Sequence, residues 1–351
     1  GEDFTTPGEL PFMDSFGFDW TFDLANAKNR VVLTAIAQTE NAKVAYTWTS
    51  DKTLQTWTRE TVGEIYPSNV FADCQSEPGQ CNYWIQGLLT TANASGQLAM
   101  VVMVSFQDGN SNNAPEKYAT LVSQRKSLTS EWSAFKSIDS FGPADVNINN
   151  YIPKGLVVTP KGKTVVAMDK VFGIGDEATP SVNTVKVFQS DKFGKSFVSK
   201  DAGVLSSGYG NGNSFIVNQG EKVYMLFQKD FDDSYEGSQI YIGEVGKMSK
   251  AKHPASLKGF DANGLVIKNG NPVAVIEDES DSSSSLYSVT ANGAKVGKPH
   301  KFMQASGSKR LFTYTVSCFS KTKRALCASG INLEPDDMQL DLLGLEVTFV
   351  K

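Results

Sequence analysis

One pattern recurs along the chain: two β-prone runs joined by a short turn rich in Gly, Asn or Lys. "GLLTTANASGQLAMVVMVSF" (87–106), "GLVVTPKGKTVVAMDKVF" (155–172), "SFIVNQGEKVYMLFQKDF" (214–231) and "GLVIKNGNPVAVIEDE" (264–279) all follow it. "LFTYTVSCFSKTKRALCASG" (311–330) and "RVVLTAIAQTENAKVAYTW" (30–48) complete the set, the last being the least regular. Each reads as an antiparallel hairpin, and the "KNGN" turn is the strongest two-residue type. The hairpins begin near residues 31, 87, 155, 214, 264 and 311, about 47 to 68 residues apart. Most are followed by two further strands, as in "KYATLVSQRKSLTSEWSAFKSI" (117–138) and "VKVFQSDKFGKSFVSK" (185–200).

Six units of about four strands predict an all-β, six-bladed β-propeller spanning residues 1–351 as a single domain. The blades are expected near 24–66, 83–140, 151–203, 213–256, 260–303 and 309–351. The last unit is a strand short, so residues 12–23, with "FGFDWTF" (16–22), are expected to join it and close the ring.

Composition narrows the function classes. The net charge of −5 argues against a nucleic-acid partner, which calls for a basic chain. The longest apolar stretch, "LAMVVMV" (98–104), is strand length, so no membrane span is expected. The first residues, "GEDFTTPGELPF", lack the basic and apolar segments of a signal peptide. Four cysteines, Cys74, Cys81, Cys318 and Cys327, fall in two close pairs without the short spacing that zinc sites use. Three connectivities are possible, and local pairing is preferred because each pair brackets a loop or hairpin. Disulfides imply an extracellular location, secreted or on a cell surface, and the "NAS" sequon offers Asn93 for glycosylation.

Three short stretches suggest a family. "SDKFGKSF" (190–197) and "SDKTLQTW" (50–57) sit between third and fourth strands, and "SQRKSLTSEW" (123–132) is a stretched relative. Ser50, Asp51 and Trp57, and Ser190, Asp191, Gly194 and Phe197, carry the likeness. They resemble the Asp box of the sialidase-like six-bladed propeller superfamily. The resemblance implies a carboxylate capping the turn through backbone N–H groups, with the aromatic packed between blades. It also implies that these turns lie away from any catalytic face.

Sialidases grip a substrate carboxylate with three arginines, and lysine cannot supply that bidentate fork. The chain holds Arg30, Arg59, Arg125, Arg310 and Arg324. Arg125 and Arg324 are placed in outward turns and Arg59 in an outer strand, which leaves Arg30 and Arg310, each just before an innermost strand. Two arginines do not complete the triad, and "YIPKGLVVTPKGK" (151–163) echoes an arginine motif without its arginine. His253 and His300 both lie beside proline in expected outer segments and are poor candidates for a base.

Carboxylates gather in the links from second to third strands: Asp176 and Glu177; Asp230, Asp232, Asp233 and Glu236; Glu277, Asp278, Glu279 and Asp281; Glu334, Asp336 and Asp337. The opposite turns are basic. Such segregation would attract a partner with a basic surface, and calcium is the one cofactor the acidic links suit. The reading is therefore a non-catalytic, monomeric propeller that binds another protein, with Trp84, Tyr151, Tyr209, Asp230, Asp232, Asp233, Glu277 and Asp278 as binding candidates. The loop at 71–84, bracketed by Cys74 and Cys81, is a further recognition candidate. Two alternatives remain. A glycoside hydrolase would use Asp169, Tyr235 and Glu236 with Arg30 and Arg310. A lectin would stack a glycan on Trp84, Tyr151 and Tyr209.

Overall fold

The computed structural model describes residues 18–38, 43–65, 81–108, 116–141, 148–172, 182–201, 214–229, 239–247, 257, 259–278, 285–292, 295–304, 310–321, 324–332 and 344–350. The described residues are all β, with no α-helix among them, and form six antiparallel sheets of three to five strands.

Two compact units divide the chain, 1–168 with 188–199, and 169–187 with 200–351. In the first unit, one sheet runs β1 (Phe18–Ala27), β2 (Arg30–Gln38), β3 (Lys43–Ser50), β4 (Trp57–Ile65). The next runs β5 (Cys81–Ala92), β6 (Leu98–Asp108), β7 (Glu116–Arg125), β8 (Lys136–Phe141). A third sheet is built from β9 (Ile148–Val158), β10 (Thr164–Phe172), β11 (Val182–Ser190) and β12 (Val198–Asp201). Within the second unit lie the sheet β13 (Ser214–Gln219), β14 (Lys222–Lys229), β15 (Gln239–Glu244), and the sheet β16 (Phe260–Lys268), β17 (Asn271–Asp278), β18 (Ser285–Asn292). The latter also carries β19 (Lys295–Val296) and β20 (His300–Gln304), both paired to β18. The final sheet is β21 (Arg310–Lys321), β22 (Arg324–Asn332), β23 (Gly344–Phe349).

The apolar run of β6 shows why these sheets stack. Met100, Val102 and Val104 pack with Ile36, Ala45 and Val62 of the preceding sheet. Their alternates Ala99, Val101 and Met103 pack with Leu156, Val166 and Met168 of the following one. A strand buried on both faces must be apolar at consecutive positions rather than alternate ones. β17 repeats the arrangement in the second unit, with Ala274 and Ile276 facing Leu226 and Ile240, and Val273 and Val275 facing Ala325 and Cys327. Each buried Val, Leu, Ile or Met among them contributes roughly 1.5–3 kcal/mol.

The N-terminal strand corrects the expected closure. β1 pairs with β2, with Asp23 opposite Thr34 and Ala27 opposite Arg30, so it completes the first sheet and not the last. The turn that joins them is Lys28–Asn29, both with left-handed backbone (φ 51° and 61°), the conformation of a type I′ hairpin. The expected first hairpin, 30–48, is consequently made of second and third strands, which accounts for its irregularity.

Candidate active site

In the second unit, β16 enters and β17 leaves the sheet at the end opposite their turn, Asn269–Gly270, whose φ values of 49° and 74° suit a two-residue hairpin. At that entry end Asp261 stands directly across from Glu277. Ala262 and Ile276, the next positions along, are fully buried on the other face, so pleat alternation puts both carboxylates on one face. Asn263 occupies the irregularity between Ala262 and Gly264 and donates its Nδ2 to Glu277 Oε2 at 3.2 Å. Gln228, at the end of β14 and only 7% exposed, fixes the other carboxylate. Its Nε2 donates to Asp261 Oδ1 while its Oε1 accepts Ala262 N–H at 2.9 Å.

Aromatic rings pack on the opposite face, with Ala262 and Ile276, and on the neighbouring sheet. Phe260 and Tyr287 meet edge to face at 5.7 Å, and the Lys301 ammonium lies 5.3 Å above Tyr287. Phe227 and Tyr241, paired across β14 and β15, stack at 4.8 Å. Burial pushes the Tyr241 phenol up, and its hydroxyl donates to Gln239 Oε1 at 3.2 Å. Two adjacent carboxylates held by amides can serve nucleophilic or acid–base chemistry at a sugar. Among the described residues, no group of three or more His, Cys, Asp or Glu could hold a metal ion.

The first unit has a half-buried carboxylate of its own. Asp23 on β1 accepts N–H bonds from Thr90 of β5 and from Leu24, while Thr90 Oγ1 donates to Thr34 Oγ1 at 3.0 Å. Burial pushes the Asp23 carboxyl above its usual range, against the lowering effect of those two N–H groups.

The described sequence-derived candidates fall on several strands. Glu277 is half-buried in the pair just described, and Asp278 follows it in β17. Trp84 lies in β5 and is 39% exposed. Asp169 lies in β10, Tyr151 in β9 and Cys81 in β5. Cys74, Tyr209, Asp230, Asp232, Asp233, Tyr235 and Glu236 fall outside the described residues. Arg310 opens β21, a first strand, but Arg30 opens a second strand beside the Lys28–Asn29 turn, contrary to expectation.

Three other arginines are engaged in packing. Arg59 lies 4.2 Å over Tyr46, and Arg324 lies 5.3 Å over Phe349. Arg125 was expected in an outward turn but is 1% exposed, paired with Glu60, donating to the Ser127 and Leu128 carbonyls and stacked on Trp132. Its side chain folds inward to hold the turn that follows it.

Cys318 and Cys327 form a disulfide between directly opposed residues of β21 and β22. Asn93, by contrast, is ill-placed for a glycan: it is 7% exposed, and its Nδ2 donates to Gln97 Oε1 (2.6 Å) and the Thr159 carbonyl (2.8 Å). Its Oδ1 accepts from Ser95 N–H, Ser95 Oγ and Gln97 N–H, so the amide organises the hairpin.

The box-like turns differ from one another. Asp51 Oδ1 accepts Thr53 and Gln55 N–H at 3.1 and 2.9 Å, and Thr53 Oγ1 donates to Oδ2, holding the carboxyl below its usual range. Asp191 instead accepts from Gln189 Nε2, and Ser190 Oγ secures that turn by donating to the Lys192 and Lys195 carbonyls. Phe197 and Trp57 pack against the cores.

Asp261 is the residue that sequence reasoning passed over. Its signal was a charged residue in "FDANG", one step inside the start of a first strand.

No family model matches the chain, and no curated protein matches it. Solved structures do. The fold is similar to that of a leech intramolecular trans-sialidase in complex with 2,7-anhydro-Neu5Ac, with TM-score 0.51, 9% identity, and coverage of 98% of this chain and 70% of that one. A Dyadobacter fermentans protein of unknown function matches with TM-score 0.49 and 11% identity over 93% of this chain and 92% of that one. An exo-1,5-α-L-arabinanase from a bovine ruminal metagenomic library matches with TM-score 0.36 and 15% identity over 82% and 99%. The chain thus has an all-β fold similar to that of the trans-sialidase.

Proposed function

We propose that the chain is a glycoside hydrolase built on a closed six-bladed propeller, and that Asp261 and Glu277 are its catalytic pair. The observation that carries this reading is their direct opposition on one sheet face. Cross-strand neighbours place Cβ atoms about 4.5–5.5 Å apart, which suits the shorter carboxyl spacing of retaining enzymes, about 5–5.5 Å. Asp261, held by the buried Gln228, is the nucleophile; Glu277, on a longer side chain, is the acid and then the base. In the first step Asp261 attacks the anomeric carbon as the glycosidic bond breaks and Glu277 protonates the departing oxygen. In the second, Glu277 removes a proton from water, which displaces Asp261 from the sugar.

The substrate class is a neutral glycoside. Arg59, Arg125 and Arg324 are occupied by packing, which disfavours a three-arginine grip on sialic acid. A second reading is a non-catalytic propeller that binds a protein with a basic surface, which the acidic links of the sequence would suit. The Cys318–Cys327 disulfide supports an extracellular site of action for either reading.

The deciding experiment is a panel of aryl pentosides, hexosides and sialosides, with NMR of the product anomer. Turnover of a neutral glycoside with retention supports the proposal. Folded protein inert to the whole panel sinks it and leaves the binding reading.

A further inference from the structure

The hairpin turns of the first unit touch one another. Asn93 bonds the Thr159 carbonyl, Lys28 lies across Gly96, Gln97 abuts Gly162, and the Lys126 ammonium lies 5.7 Å over Phe193. Val31 N–H also bonds Ser50 Oγ and Gln124 bonds both Thr164 and Gly194, so the turns at 28–30, 51–56, 126–135, 159–163 and 191–197 lie at one end of their sheets, where they carry eight Lys or Arg against three carboxylates. Of those three, Asp51 is committed to capping its turn and Asp191 is bonded by Gln189.

At this end lies a cleft of about 200 Å³ between β8 and the 191–197 turn. Lys136 and Lys195 line it, with the hydroxyl-bearing Ser133, Ser137 and Ser196. Gln124 forms its floor at 5% exposure. This glutamine accepts Gly194 N–H at 3.1 Å, donates to Thr164 Oγ1 at 2.7 Å, and its own N–H donates to Ser133 Oγ at 3.0 Å. Those bonds fix both walls before any ligand arrives, so binding orders little. The counterpart cleft one sheet earlier has the opposite character, being lined by Glu60, Glu131 and Trp132.

We propose that the cleft between Lys136 and Lys195 binds a sulfate group of a sulfated polysaccharide, whose neighbouring anionic groups run across the basic turns. Paired ammonium groups and serine hydroxyls supply the donors an anionic sugar needs, and the spread of lysines matches a repeating anion. A membrane surface fits poorly, because Leu54 is the one exposed large apolar side chain among the described residues of these turns. This site is independent of the Asp261–Glu277 reading.

The test is fluorescence anisotropy with a labelled heparin octasaccharide at 50 and 300 mM NaCl. Three proteins are compared: wild type, Lys136→Gln/Lys195→Gln, and the charge-matched control Lys222→Gln/Lys247→Gln. The expected result is salt-sensitive binding, weakened about three- to tenfold in the cleft variant. The control should bind as wild type, and all three should share one unfolding midpoint. Absence of binding at 50 mM, or equal weakening in the control, overturns the proposal. So does tighter binding to phosphatidylserine vesicles or to a single-stranded oligonucleotide of equal charge.

Discussion

Leu54 and Gly194 hold the same position in two turns and share left-handed backbone, with φ 62° and 72°. Glycine adopts that conformation freely, whereas a leucine there costs roughly 1–2 kcal/mol. Leu54→Gly should therefore stabilise the protein by about 0.5 kcal/mol after the extra unfolded-state entropy of glycine is subtracted. Gly194→Ala should destabilise by about 1 kcal/mol. An added Cβ at Gly194 would meet nothing within 4 Å, so that loss would be backbone strain alone. Chemical denaturation of the two variants checks both signs; a destabilised Leu54→Gly would refute the strain argument.

Asn93 should carry no glycan when the protein is secreted from eukaryotic cells, as intact mass will show. Its amide hydrogens are spent on Gln97 and Thr159. Asn93→Ala should cost about 2–4 kcal/mol by leaving buried partners unsatisfied.

Arg125 should tolerate no substitution well. Arg125→Met removes the Glu60 pair and the donors to two carbonyls, and should cost roughly 2–4 kcal/mol in thermal or urea unfolding. Arg125→Lys should recover only part of that, since an ammonium cannot reproduce the fork.

Asp23 gives a pH dependence opposite to that of most paired carboxylates. Its folded pKa lies above the unfolded value because burial disfavours the charged form. Between the two values the native state binds more protons, so stability falls as pH rises from the ordinary aspartate range through the folded pKa. Asp23→Asn should flatten that part of the profile measured by unfolding between pH 3 and 7. An unchanged profile would contradict the burial account.

How far the sequence disclosed the structure follows from what each signal depends on. Continuous apolar runs such as 98–104 marked strands buried on both faces, and the Asn269–Gly270 turn marked a hairpin, because burial and φ act locally. The Lys28–Asn29 turn was passed over because both positions lack glycine, and that shifted the first sheet by one strand. Arg125 looked like an exposed turn residue because Glu60, 65 positions away, supplies its partner. Asp261 gave only the local sign of a charge at the start of a strand, since its importance rests on register with Glu277 and on Gln228 from another sheet.

The central claim rests on that register, and one comparison tests it most directly: hydrolysis rate and unfolding free energy measured together for wild type, Asp261→Asn and Glu277→Gln. Catalytic carboxylates kept side by side oppose folding, so each neutral variant should be as stable as wild type, or more so by about 0.2–1 kcal/mol. Each should also lose at least about 100-fold in kcat. Variants that lose stability while hydrolysing at the wild-type rate would show that the pair is structural and the catalytic assignment wrong.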